Sequence, residues 1–176
     1  RWDHDKNPTA VFNSLGRLAE EGVPFAVAVA GENERVDPRE FTEAQDHLGD
    51  RVVQFGFLDR PDYVDLLGRC DVVVSAAHHE FFGIAVVEAL AAGCVPVLPD
   101  RLSYPELVGD RAGVALYPDG GLTARLREVL ADLDGWRERV AGLDEDIRRF
   151  DVRTVVADYD DRLEALAAVG PPRASH

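Results

Sequence analysis

Residues 71–100 read DVVVSAAHHEFFGIAVVEALAAGCVPVLPD. Two short apolar runs, 71–75 and 95–98, bracket a longer apolar stretch over 84–92 whose length suits a helix. A strand that returns to a parallel neighbour through a helix is a crossover unit, and strands that are apolar throughout, rather than alternating, are covered on both faces. Two carboxylates, Glu80 and Glu88, stand inside this unit. The neighbours Val86, Val87, Ala89 and Leu90 leave Glu88 little polar face, and a carboxylate there is costly to desolvate without a partner.

The same alternation extends outward on both sides. Asn7-Pro8 opens a predicted helix over 8–21, with Phe12, Leu15, Leu18 and Ala19 on one face and Gly22 closing it. An apolar run over 25–30 stops at Gly31, a helix is expected over 38–47, a strand over 52–55 and a short helix over 61–67. Strand and helix alternate four times with short connections, which predicts an α/β fold: a Rossmann-like parallel sheet with helices on both faces. After 113–117 the chain becomes helical to its end, over 122–133, 136–150 and 152–168, punctuated by Gly120-Gly121 and Asp134-Gly135. The reading is one domain over 1–170 and a frayed tail over 171–176. The helix at Pro8 calls for a strand of its own before it, and Arg1 is preceded by none, so the first strand is expected to lie outside this sequence.

At 176 residues, with 46% hydrophobic and 30% charged residues, the chain has the composition of a globular domain. A formal net charge of −14 argues against docking on nucleic acid or anionic lipid, so any anionic ligand has to meet a local basic site. Cys70 and Cys94 match no metal-ligand spacing and read as free buried thiols, which places the protein in the cytoplasm. No run approaches the roughly 18 to 20 apolar residues that span a bilayer, so no membrane partner is expected.

In open parallel sheets ligands gather at the carboxyl ends of the strands, which here are Gly31, Gly56-Phe57-Leu58, 75–83 and 99–106. Gly83 lets backbone approach a ligand, and the helix starting near Ile84 offers unpaired amides to phosphate or sugar hydroxyls; the bland alternative is a glycine that only turns the chain. Glu88 fits a carboxylate accepting from vicinal ribose hydroxyls, while Glu80 alone could be a solvated loop residue. Arg1 and Lys6, just before a helix, could clamp a diphosphate or be two surface cations. His78 and His79 lack a third ligand at metal spacing, which argues against a metal site and leaves His79 as a ligand contact beside Glu80. No Gly-x-Ser-x-Gly, Walker or Gly-x-Gly-x-x-Gly sequence is present, so the hydrolase, NTPase and dehydrogenase readings lose ground.

Taken together, these residues resemble the C-terminal, donor-binding half of a retaining GT-B glycosyltransferase of family 4. Arg1 and Lys6 resemble that family's "GRL…eKG" element, residues 71–100 its glutamate-x7-glutamate block, SYPELVGDRAGVALYPDG its "pEiv…GllvpP" segment, and Phe150, Val156, Tyr159 and Leu163 its closing helix. The resemblance implies a nucleotide-sugar donor and no metal cofactor. Arg1 and Lys6 would hold the diphosphate and Glu80 the transferred hexose. The backbone of Phe82, Gly83 and Ile84 would hold sugar and phosphate, Glu88 the ribose, and the backbone of Gly56, Phe57 and Leu58 the base, with Gly31 as the family's post-strand glycine. RWDHDKNP, HEFFGIAVVEA and LSYPEL are more narrowly similar to the tRNA-queuosine α-mannosyltransferase group, which implies GDP-mannose as donor and a queuosine tRNA acceptor reached through an N-terminal acceptor domain outside this sequence. Alternatives are another UDP- or GDP-hexose with a non-RNA acceptor, a non-catalytic sugar-nucleotide-binding module, and a sugar-nucleotide epimerase, the last without supporting residues.

Overall fold

A computed structural model of the chain describes residues 3–31 and 38–169. Arg1 and the tail over 171–176, both part of the sequence reading, lie outside the described residues. A 3-10 turn, His4–Lys6, leads into α1 (Pro8–Glu20), followed by β1 (Val27–Ala30), α2 (Pro38–Leu48), β2 (Val52–Gly56), α3 (Arg60–Arg69), β3 (Val72–Val74), α4 (Ile84–Ala91) and β4 (Val95–Pro99). The chain continues through α5 (Tyr104–Val108), α6 (Ala112–Ala115), β5 (Leu116–Tyr117), α7 (Leu122–Ala131), α8 (Leu133–Arg139), α9 (Leu143–Ile147) and α10 (Val152–Val169). Every strand pair is parallel, as the crossover pattern requires.

The strands form two ladders, β1-β2 and β3-β4-β5, among the described residues. Burial along them is uneven: β4 is buried along its whole length, whereas the three valines of β3 are half-buried and only Val29 of β1 is fully enclosed. The expected strand over 25–30 accordingly begins at Val27 and is less covered than a central strand should be. Registers Ala30↔Gly56 and Val74↔Val97 bring the carboxyl ends of neighbouring strands level, and the Gly31 amide donates to the Gly56 carbonyl at 2.9 Å.

The helices form two layers because each crossover carries one apolar stripe back onto the sheet. α1 packs against α2 and α7, and α4 against α9. Val11, Leu15 and Leu18 of α1 join Leu126 and Val129 of α7 and Val95, Val97 and Leu98 of β4 in the main core. Phe12, Phe41 and Phe55 meet edge-on, with centroids 5.1 and 5.8 Å apart, in a smaller cluster over β1 and β2. α1 starts where predicted because Pro8 needs no amide partner and the Asn7 side chain accepts from the Ala10 amide.

Two of the expected C-terminal helices divide differently. The helix expected over 122–133 ends at Ala131, because Asp132 leaves helical geometry and caps α8 by accepting from the Gly135 amide at 3.1 Å. The helix expected over 136–150 breaks at Gly142, whose φ of 81° is left-handed and stops one helix before α9 begins. α10 runs as predicted, with Val152, Val156, Tyr159, Leu163 and Leu166 all at least half exposed along one stripe. Among the described residues no helix is long and apolar enough to cross a membrane.

Candidate functional site

The carboxyl ends of the strands carry the site because the loops there follow rigid elements, and the loop after β3 is the richest of them. Lys6 closes the 3-10 turn before α1, and Asn7 next to it adopts a left-handed conformation (φ 51°) that Asn tolerates with less strain than most residues. This turn docks directly on the loop after β3: the His78 and His79 amides both donate to the Asp5 carbonyl, at 2.7 and 3.3 Å. The docking brings Lys6 Nζ to 2.5 Å from Glu80 Oε2, with both side chains more than half shielded. Two residues picked from separate motifs thus meet as one ion pair.

Gly83 has φ 88° and caps α4, and a Cβ there would stand 3.6 Å from both Glu80 Cγ and Tyr104 Cε1 and 3.4 Å from Leu107 Cδ1. Those separations are ordinary contacts, so the glycine is required by its left-handed conformation and not by lack of space. The first amides of α4 have no intrahelical partner and carry the positive end of the helix dipole, so the Lys6–Glu80 pair sits at a mouth able to receive an anion. Glu88, in the second turn of α4, is about 6 Å further along the axis. Its side chain is 27% exposed, so it lies neither in the core nor free in water.

The partner that Glu88 demanded is Arg60, the first residue of α3, whose Nη1 donates to Glu88 Oε1 at 2.6 Å. Tyr63, one turn further along α3, lies beside the Arg60 guanidinium, and burial, followed by the nearby Glu88 charge, pushes its pKa up to about 12. Of the remaining predicted residues, Gly31 and Gly56 meet through their backbones, Phe57 and Ile84 are largely exposed, at 68% and 67%, and Leu58 is half-buried. Phe82 packs edge-on against Phe150 at 5.1 Å, and His79 presents its ring to solvent while its amide holds Asp5.

Several residues that the sequence did not single out fix the loop over 75–83. Tyr104 is fully enclosed and shares a 2.7 Å hydrogen bond with Ser75 Oγ, and the Tyr117 hydroxyl donates to the Ser75 carbonyl at 2.7 Å. Burial raises the pKa of both phenols, with the charge of Glu80 adding at Tyr104 and that of Arg101 opposing at Tyr117, so both remain donors at neutral pH. Arg101 donates to the Ala77 carbonyl at 3.1 Å and pairs with Asp119, and Ser103 donates to the Phe82 carbonyl at 3.2 Å. Leu102 between them has φ 62°, a strained value for a branched residue that aims its two neighbours at the loop. The available signal was position and segment: Arg101, Leu102, Ser103 and Tyr104 follow β4 in the span 99–106, and Ser103, Tyr104 and Tyr117 lie within SYPELVGDRAGVALYPDG.

A cavity of about 340 Å³ lies between α1 and the loops after β4 and β5, lined among others by Asn13, Arg17, Arg101, Asp119 and Thr123. None of the predicted site residues among those described lines it. Lys6, Glu80 and Glu88 lie outside it, with side chains 33%, 18% and 27% exposed. Among the described residues no three His, Cys, Asp or Glu side chains cluster as metal ligands.

The family profile described as "Glycosyl transferases group 1" matches residues 1–141. The chain is 45% identical over 107 residues to a tRNA-queuosine alpha-mannosyltransferase of Drosophila melanogaster, a match covering 61% of this chain and 28% of that protein. It is 26% identical over 182 residues to a GDP-mannose:cellobiosyl-diphosphopolyprenol alpha-mannosyltransferase of Xanthomonas campestris, covering 98% of this chain and 47% of the relative. The chain thus spans less than half the length of these curated relatives. Among solved structures, the catalytic domain of cholesterol-alpha-glucosyltransferase from Helicobacter pylori superposes with a TM-score of 0.67 at 19% identity, over 85% of this chain and 94% of that one, a likeness of fold. The chain belongs to the group 1 glycosyl transferases.

Proposed function

We propose that this chain is the donor-binding half of a retaining glycosyltransferase that transfers a hexose, mannose from GDP-mannose being favoured, to an acceptor held by a companion half. The observation that carries the reading is the Lys6–Glu80 ion pair at the α4 N-terminus, with Glu88 further along the same helix. The donor lies along α4: its diphosphate takes over the Lys6 ammonium and the α4 amides, Glu80 is released to the hexose hydroxyls, and Glu88 accepts from the ribose. Arg1 joins Lys6 at the diphosphate. Gly31, the backbone of Gly56, Phe57 and Leu58, and His79 border the donor, while Phe82, Gly83 and Ile84 supply the backbone against sugar and phosphate.

Catalysis in this scheme is electrostatic and positional. Cations and amides stabilise the departing nucleotide diphosphate, and the acceptor attacks from the face the leaving group vacates, so no protein nucleophile or metal is required. The donor preference and a queuosine tRNA acceptor follow the mannosyltransferase relatives. With a net charge of −14, contacts to tRNA belong to the companion half, and the setting is cytoplasmic.

Calorimetric titration of the folded chain with GDP-mannose, GDP and UDP-glucose tests the reading, repeated on Glu88→Ala. The expected result is selective binding of the two GDP ligands that the substitution weakens at least tenfold. A preference for UDP-glucose overturns the donor assignment, and absence of binding by a folded sample overturns the site.

A further inference from the structure

A carboxylate used to read a vicinal diol must be held in one orientation, and α4 itself provides nothing to hold Glu88: its helical neighbours Ile84, Ala85, Val87, Ala91 and Ala92 are all apolar. We infer that Arg60 and Tyr63, both from the first turn of α3, are the positioning residues of the Glu88 carboxylate and set the preference of this site for a ribonucleotide over a deoxyribonucleotide. The inference rests on the proposed role of Glu88 at the donor ribose and assigns it two residues that none of the sequence motifs contains.

The geometry is specific. Asp59 caps α3 by accepting from the Asp62 amide at 3.0 Å, which fixes the start of the helix and the stem of Arg60. The Arg60 guanidinium lies 5.7 Å from the centre of the Tyr63 ring and donates to Glu88 Oε1 at 2.6 Å. The Tyr63 ring thus backs the guanidinium that bonds Glu88, and its phenol, pushed up to about 12 by burial and then by the Glu88 charge, stays protonated near the carboxylate. A carboxylate offers about four acceptor directions. Arg60 occupies one, and the rest include the two that the 2′- and 3′-hydroxyls of a ribose fill. Removing the 2′-hydroxyl leaves one acceptor direction unused beside a shielded charge, which is how a site built to bond a hydroxyl rejects the analogue lacking it.

The consequence separates Arg60 from a surface cation. An exposed ion pair that only decorates α3 adds little to stability and nothing to ligand choice. A positioning pair leaves stability nearly unchanged while altering discrimination. The test is calorimetry with GDP against 2′-deoxy-GDP, and UDP against 2′-deoxy-UDP, on the unchanged chain and on Arg60→Ala, Arg60→Lys, Tyr63→Phe and Glu88→Ala, with thermal midpoints recorded for each. The unchanged chain is expected to prefer the ribonucleotide about tenfold, and Arg60→Ala to bring that ratio below about threefold by weakening the ribonucleotide alone. Arg60→Lys should restore part of the ratio, Tyr63→Phe should fall between, and the Arg60→Ala midpoint should move by no more than about 3 °C. A ratio that survives Arg60→Ala and Tyr63→Phe but is lost in Glu88→Ala overturns the positioning role and leaves the ribose role standing. Binding of neither nucleotide by the folded unchanged chain, or a ratio that survives Glu88→Ala, overturns both.

Discussion

Lys6 and Glu80 are 74 positions apart in the chain and 2.5 Å apart in space, and each needs the other for a different reason. Without a ligand, Glu80 neutralises a cation poised at the α4 N-terminus, where two positive charges would otherwise face each other. In the proposed reading, a bound diphosphate gives the cation a better partner and frees the carboxylate to accept from hydroxyls. Lys6→Met is therefore expected to weaken GDP by tenfold or more while leaving guanosine within about twofold, because the lost contact is with phosphate. Titration with the two ligands side by side reads the difference, and equal losses would show that Lys6 shapes the site without touching the diphosphate. Chain position told that Lys6 precedes a helix. That its ammonium points at Glu80 depends on the Asp5 carbonyl anchoring that turn to His78 and His79.

At the scale of elements, the strand–loop–helix unit from β3 to α4 carries the site, and its geometry is held from outside. Ser103, Tyr104 and Tyr117 bond the loop from the segments after β4 and within β5, and α3 contributes Arg60 to Glu88. The α4 start depends on Gly83, where a side chain would be strained by the positive φ. Gly83→Ala is expected to cost about 1 to 2 kcal/mol by urea unfolding, from the left-handed conformation alone. A change under about 0.3 kcal/mol would mean that the turn relaxes to another geometry. The glycine was legible in the sequence as a helix start after a strand, and so was the helix. Its closeness to Tyr104 was not, since that contact joins segments twenty-one positions apart through the packing of α5 on the sheet edge.

For the whole molecule, burial of ionisable groups in the α/β core sets an upper pH limit. Burial pushes the Cys94 thiol up to about 12, with Cys70 and Asp71 adding, while Tyr63 is raised to about 12 and Tyr104 and Tyr117 are raised as well. Each is an acid whose folded pKa exceeds its unfolded value, so the folded state holds the proton more tightly. Its stabilising contribution is complete below the unfolded pKa, near 8.5 for a thiol and 10 for a phenol, and is lost as pH rises toward 12. The urea midpoint should hold from pH 7 to 8 and fall steadily from pH 9 to 11, and a midpoint that does not fall would show these groups to be better solvated than their burial indicates.

Hydrophobic periodicity, the Asn7-Pro8 and Gly22 boundaries and the apolar runs ending at Ala30, Val74 and Leu98 determined the parallel α/β fold by themselves, because strand and helix periods are local properties of the chain. The need of Glu88 for a partner was likewise legible, since an apolar helix face disfavours a lone carboxylate wherever it packs. Tertiary structure alone decided that the partner is Arg60, that Lys6 meets Glu80, and that the strands among the described residues divide into two ladders. The physical reason is the same in each case: side-chain pairing and strand order depend on which elements are stacked side by side, and that is set by the packing of the whole core, which sequence spacing does not record.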